Sequence, residues 1–274
     1  MRIAIRGIGA AGGFGCGADQ LQRTLLSGEN KPQIIVLEAE SRKIEFPVFI
    51  CNTDRLEDFI NKKALRRVDH FSRMAILASA LALKDAGWHQ EDRQRIAVVV
   101  ASGYGAARTT FFFLDSAIDN GDALASPTMF SNSVHNASAA YISILLNVKG
   151  PNLTVSQFEM SVPSALVSAC CWLQDNQVDA VIFGGVDEYC SVLGYSWQRF
   201  FGQGGNIRMR PLELENQSAI AGEGAAFLLL TRDDGDKPKY GYIKGVQFGR
   251  TGISKPEIAK NTLLILGADG HKSA

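Results

Sequence analysis

The sequence has no surplus charge of either sign. Its 28 lysines and arginines balance 28 aspartates and glutamates over 274 residues, so no global field draws it to nucleic acid or to an anionic membrane. It also lacks a long hydrophobic run: no apolar stretch reaches the roughly 18 residues that a membrane span requires, and the N-terminus reads as a strand rather than a signal peptide. Cysteine is sparse and scattered, at positions 16, 51, 170, 171 and 190, with no C-x-x-C pair. Cys170 and Cys171 are adjacent on an expected helix and badly placed to bridge, so the set reads as reduced and the protein as cytoplasmic. The four histidines, at 70, 89, 135 and 271, show no metal-ligand spacing, which argues against a zinc site. No cofactor is expected.

What is present is enough apolar residue, 46% of the chain, for one large domain or two small ones. Arg95–Ser102 and Val178–Gly185 are β-branched or apolar runs of the kind buried on both faces of a sheet. Ile34–Leu37 reads as a short β-like run, 39–60 as a polar region of loops with a short hairpin around Phe46–Phe49, and Tyr240–Phe248 as a late strand. Helical spacing marks Ala18–Ser27, Met74–Gly87, Thr109–Ser116, Ala137–Leu146 and the aromatic Val192–Phe201; 121–136 reads as loop. Ser161–Trp172 is a helix without a single charge, and a helix apolar all round is expected to be buried all round.

Two local patterns carry chemistry. Gly7-Ile-Gly-Ala-Ala-Gly12 follows the strand Met1–Arg6 and is a literal G-x-G-x-x-G, with Glu38 closing the next β-like run. Read alone it suggests a dinucleotide fingerprint. Gly13, Gly15 and Gly17 delay the helix, so a glycine-rich turn from strand to loop is the preferred reading. The second pattern is Gly150-Pro-Asn-Leu-Thr-Val-Ser-Gln-Phe-Glu159-Met-Ser161, a short strand turning into the uncharged helix. Free N–H groups and the helix dipole converge at such an elbow, and Glu159 sits there.

The elbow resembles the G-P-x-x-x-V-x-T-A-C-x-S text of the β-ketoacyl synthase branch of the thiolase-like superfamily, and Val178–Gly185 resembles that family's A-D-x-x-x-x-G-G. The opening glycines, Arg66-Arg-Val-Asp-His-Phe-Ser72, the Ser102-Gly-Tyr-Gly105 turn, Asn136 before a helix, Arg210-Pro211 and Ala221-Gly-Glu-Gly-Ala225 fall in the family's order. The stretch Glu213–Asn216 and Ile220 replace the middle of the R-P-F-D-x-x-R-x-G-F text. The resemblance implies an α/β thiolase-like fold, mainly its first half: a central mixed sheet flanked by helices, over 1–240. Residues 241–274 would be a remnant or the beginning of the second half, which is largely absent.

The same resemblance aligns Glu159 with the family's nucleophilic cysteine and Asp269 with its first histidine; His271 is displaced by two positions. Claisen condensation needs a thiolate to hold the acyl group, imidazoles for the malonyl unit and an oxyanion hole. A carboxylate forms only a hydrolysable mixed anhydride. The expectation is therefore a catalytically silent subunit of the chain-length-factor type, with no intact catalytic residue, paired with an active ketosynthase of polyketide, aryl polyene or fatty-acid-like synthesis. Glu159 is expected first to cap the helix, then to pair with an arginine, then to mimic a carboxylate in malonyl decarboxylation.

In relatives the counterpart of 109–136 shapes a partner's acyl tunnel, which makes Phe112, Phe113, Met129, Phe130 and Ser133, with the elbow's Phe158 and Met160, tunnel or interface candidates. Leu153, Thr154, Val155, Ser156 and Gln157 would pair across a heterodimer or homodimer axis. Lys62, Lys63, Arg66 and Arg67 read as a solvated face, or as a dock for an acidic acyl carrier protein. A malonyl-carrier decarboxylase, a truncated 3-oxoacyl-carrier synthase and a non-catalytic scaffold are the alternatives.

Overall fold

A computed structural model describes residues 2–39, 42–88, 93–201, 219–247 and 263. In chain order the elements are β1 (Ile3–Gly12), β2 (Gly15–Cys16), α1 (Ala18–Ser27), β3 (Gln33–Ala39), β4 (Arg42–Phe49), α2 (His70–Asp85), β5 (Ile96–Ser102), α3 (Ala107–Asn120), α4 (Pro127–Ser133), α5 (Ala137–Leu145), β6 (Asn152–Ser156), α6 (Ser161–Gln174), β7 (Ala180–Asp187), α7 (Ser191–Phe201), β8 (Ala221–Gly222), β9 (Gly224–Arg232) and β10 (Tyr242–Ile243). Short 3-10 turns lie at Asp54–Asp58, Asp122–Leu124 and Phe158–Met160.

The main sheet runs β10-β1-β9-β7-β5-β6, with β2 folded back on β1. The β7, β5 and β6 strands are mutually parallel, whereas β9 is antiparallel to both β7 and β1. Alternation along the strands gives two cores. Val98, Val100, Ile182, Phe227 and Leu229 face α2 and α5. Val99, Val181, Phe183 and Leu230 face α6. A separate three-stranded sheet, β3-β4-β8, packs Phe46 and Val48 against Tyr189.

The helix buried nearly all round is α2, with twelve of its sixteen residues inside, and not α6. Only Ser161, Ala165, Ala169 and Leu173 of α6 are buried, an i, i+4 stripe, and Val162 on its other side is 50% exposed. Absence of charge therefore does not translate into burial there: one sheet face covers only one stripe of the helix.

The glycine run is strand, not turn. Gly7 to Gly12 lie within β1 and pair antiparallel with β9. A Cβ on Gly7 would be driven into the carbonyl oxygen of Ala82, and one on Gly9 into that of Ala78. Positions 7 and 9 share a strand face and 78 and 82 share a helix face, so the two glycines let the α2 backbone lie directly on the sheet. The first strand of a dinucleotide fold ends at its glycines, in a turn that presents backbone to a phosphate. Here the strand runs through them, and no such turn forms.

The expected loop 121–136 contains α4, because Ser126 accepts a hydrogen bond from the Met129 N–H and Pro127 occupies the first turn. The helix expected at Thr109–Ser116 extends to Ala107–Asn120, and the hairpin expected around Phe46–Phe49 is instead one strand, β4, paired antiparallel with β3.

Gly9→Ala should lower the thermal midpoint, since overpacking a close contact costs about 1–3 kcal/mol or more. Gly245→Ala, with no atom within 4 Å of the added carbon, should leave it nearly unchanged; paired melts by circular dichroism check both.

Candidate functional site

The elbow between β6 and α6 is held by a serine. Ser161 is buried, and its Oγ accepts the Gln157 N–H at 2.7 Å. Its one proton is offered to the carbonyls of Ser102 at 2.9 Å and Phe158 at 2.7 Å. This stitches the turn to the end of β5 and sustains Phe158 at φ +49°, a left-handed conformation that is costly for a bulky side chain. Phe158 is exposed and stands edge-on to Tyr104 at 5.8 Å, which in turn meets Trp197 at 6.1 Å.

Glu159 projects to solvent. Among the described residues its carboxylate has no hydrogen-bond or ion-pair partner, and the start of α6 has no side-chain cap. The capping role expected for it is therefore not what the structure has: Ser161, two residues on, does the stitching.

The other carboxylates near the strand ends are occupied. Asp187, closing β7, accepts from Ser102 Oγ at 2.8 Å and from the N–H groups of Gly103 and Tyr104 at 3.0 Å. Glu223 receives the Cys51 N–H at 2.9 Å and the Tyr189 N–H at 3.0 Å, and its Oε1 lies 2.7 Å from His70 Nε2. Burial works against ionisation of Glu223, but its His70 and backbone partners outweigh it and hold the carboxyl below its ordinary value. Glu188, 4% exposed, accepts the Arg108 N–H in the first turn of α3 at 2.9 Å, while its Oε2 has no partner among the described residues. Burial, with Asp69 and Glu223 nearby, outweighs that bond and the pull of His70 and raises its pKa to about 7.

In front of the elbow opens a groove of about 940 Å³, at the upper end of the range for small-molecule sites. Its floor is the ends of β1, β7 and β9; Leu21 and Leu25 of α1, Phe14, Phe49, Phe158 and Val162 form its walls.

Of the residues expected to line a tunnel, only Phe158 reaches this groove. Phe112, Met129 and Phe130 are exposed and Phe113 and Ser133 half-buried on the α3–α4 arm. There Phe113 and Phe130 meet at 5.4 Å and Arg108 covers the Phe112 ring. Met160 is exposed beside the elbow. Leu153, Thr154, Val155 and Ser156 lie in β6, an outer strand of the sheet, with Gln157 just after it. Lys62, Lys63, Arg66 and Arg67 are all exposed on one run of turns; among the described residues only Lys62 of the four has an ion pair, with Glu57 at 3.4 Å. Asp269, His271, Arg210, Pro211 and Glu213–Asn216 lie outside the described residues. The groove walls on α1 and β4 were missed; Leu21 and Leu25, at i, i+4 on a polar helix, were the available signal.

Glu188 supplies a pH prediction. Between its unfolded value of 4.5 and about 7, the folded chain keeps a proton that the unfolded chain has lost, so this group's contribution to stability falls as pH rises through that window. At most about 3 kcal/mol is at stake. Glu188→Gln keeps an acceptor for Arg108 and removes the titration. Its gain in thermal midpoint over the parent should be larger at pH 8 than at pH 5, read from melts at both values.

Residues 1–235 match the family described as beta-ketoacyl synthase, N-terminal domain. The 3-oxoacyl-[acyl-carrier-protein] synthase 2 of Staphylococcus aureus (strain MRSA252) is 26% identical over 262 residues, 92% of this chain and 63% of its own length. That of Rhizobium meliloti (strain 1021) is 26% identical over 246 residues, 84% and 58%. Among solved structures, the ishigamide ketosynthase/chain length factor superposes with a TM-score of 0.67 at 16% identity, covering 87% of this chain and 64% of that one. A ketosynthase in complex with its chain length factor from Xenorhabdus doucetiae gives 0.68 at 17%, covering 84% and 58%. At such identities these structures show a common fold, and the chain spans about 63% of the length of the first of these curated relatives. With the mixed sheet, the elbow and a family match over most of its length, the chain belongs to the β-ketoacyl synthase family through that family's N-terminal domain.

Proposed function

We propose that this chain is a ketosynthase-like subunit without a condensing nucleophile, of the chain-length-factor type, that works beside an active ketosynthase and an acyl carrier protein in polyketide, aryl polyene or fatty-acid-like synthesis. The observation that carries the reading is Glu159: the elbow is built and stitched, yet its exposed side chain is a carboxylate with no described partner, where the family's pattern has cysteine. A carboxylate cannot keep an acyl chain against water, so the chemistry belongs to the partner.

Three features support a partner. The outer strand β6 ends the sheet next to the elbow, and an unpaired edge is a template for another strand. The α3 helix buries none of its residues, while Phe112 and Phe130 are 50% and 58% exposed, which suits an arm laid on a second protein. The basic turns at 62–67 suit an acidic carrier. Two of the superposed structures are named as a ketosynthase with a chain length factor, and another as a ketosynthase in complex with its acyl-carrier protein.

The test is co-purification with the ketosynthases of the same organism. A one-to-one complex is expected, and Phe112→Ala or Phe130→Ala should shift the length of its product while this chain alone makes none. A chain that binds no ketosynthase would end the reading. Replacing Arg66 and Arg67 by glutamate should weaken carrier binding about tenfold and flatten its salt dependence, as measured by titration at two ionic strengths.

The free carboxylate favours one second reading, decarboxylation of a malonyl-carrier. Acetyl-carrier and CO2 formed by this chain, and lost in Glu159→Ala, would establish it.

A further inference from the structure

The first turn of α3 has no cap of its own. Ala106 precedes the helix with a side chain that cannot accept a hydrogen bond, and no acidic residue lies in that turn. The acceptor comes from 80 residues away: Glu188, just after β7, takes the Arg108 N–H at 2.9 Å. Its surroundings disfavour a charge. Glu188 is buried, that N–H is its one hydrogen bond among the described residues, and its Oε2 has no partner there. The groups that face it are Asp69 and His70 at the start of α2, Glu223 before β9, Cys190 two residues on, and Arg108 itself. Asp69 Oδ1 is a second buried carboxylate oxygen without a partner among the described residues. His70 is already turned to Glu223, at 2.7 Å, and the Arg108 guanidinium lies over the Phe112 ring. An ionised Glu188 would answer the positive end of the α3 dipole. One N–H is nevertheless too little to replace the water it gives up, and two like charges stand near. Burial first, then Asp69 and Glu223, raise its pKa to about 7.

Once that proton is lost, the repulsion is relieved where the surroundings give way most easily. The α2 helix does not give, since twelve of its sixteen residues are buried. The α3 helix buries none of its own, and elements with few buried contacts open at the lowest cost. The far end of the arm is pinned separately, by Asn132 Nδ2 donating to the Arg67 carbonyl at 2.8 Å, so release is confined to the start of α3. We propose that Glu188 is a proton-controlled latch on the α3–α4 arm: neutral, it holds the first turn of α3 to the body, and ionised, it turns to solvent and lets that turn open. The proposal goes beyond the pairing with a ketosynthase and does not depend on it. Because the closed-state value lies above the ordinary 4.5, at about 7, the support Glu188 gives to closure is full below 4.5. It falls through that window and is gone above it.

The experiment is hydrogen exchange of the full chain, read residue by residue at pH 5.5 and pH 8 and corrected for the intrinsic rate. Protection of the Arg108 and Thr110 amides, which bond to Glu188 and to the Ala106 carbonyl, should fall about tenfold from the lower pH to the higher. Amides of α2 should stay within about twofold. Glu188→Gln, which keeps an acceptor and has no proton to lose, should leave both arm amides protected at both pH values. Glu188→Ala, which removes the acceptor, should leave them open at both, with circular dichroism showing that each variant is folded. Three results overturn the inference. Protection independent of pH in the parent chain means that the proton has no hold on the arm. An equal fall in α2 means that it acts on the whole fold and not on a latch. A fall that survives in Glu188→Gln belongs to another group, of which Asp69 and His70 are the nearest candidates.

Discussion

The contact on which the rest of this structure depends is the seating of α2 on β1. A helix whose backbone touches a sheet is possible only where the strand has no side chains, and Gly7 and Gly9 provide two such points beneath Ala82 and Ala78. Everything central follows from that spacing. The α2 helix is buried along nearly its whole length, its small residues fill what would otherwise be a gap, and β1 stays extended through its glycines long enough to pair with β9 as far as Gly224. The start of β9 in turn places Glu223 beside Cys51, His70 and Tyr189.

The acidic groups around the strand ends serve architecture. Asp187 ties the turn after β5 to β7, Glu223 ties the end of β4 and the start of α2 to the segment after β7, and Glu188 holds the first turn of α3. Buried carboxylates of this kind are tolerated because each receives N–H donors, and losing one partner would leave the others uncompensated. Glu188, one of whose oxygens has no partner among the described residues, is the least satisfied of the three, and burial raises its pKa to about 7. Glu159 is the exception among the carboxylates at the elbow end, free in solvent and tied to nothing described.

Much of the apolar exposure falls in three places: the arm at Phe112, Leu114, Ile118, Met129 and Phe130, α1 at Leu25 and Leu26, and the elbow at Phe158, Met160 and Val162; Ile34 and Val36 on β3 and Ile144 on α5 are exposed as well. Clusters of this size on a folded chain mark contact with something else. The exposed arm and the outer strand β6 are the surfaces on which the proposed pairing rests.

The sequence by itself determined the elements whose residues carry their own signal. The runs at 95–102 and 178–185 became β5 and β7, since only a doubly covered strand accommodates unbroken apolar residues. The elbow was legible because strand, turn and helix residues follow one another within a dozen positions, and the order of motifs along the chain named the family. Tertiary structure decided what depends on neighbours remote in sequence. The glycines of β1 look like a phosphate loop until α2, some seventy residues later, is seen lying on them. The uncharged α6 looks central until the sheet is seen to cover only one stripe of it. Glu159 looks like a cap until Ser161 is found making the bonds, and Leu21 and Leu25 become groove walls only when Phe49 and the elbow are brought opposite. Periodicity records which face of an element is apolar; what that face meets is fixed by the packing of distant segments.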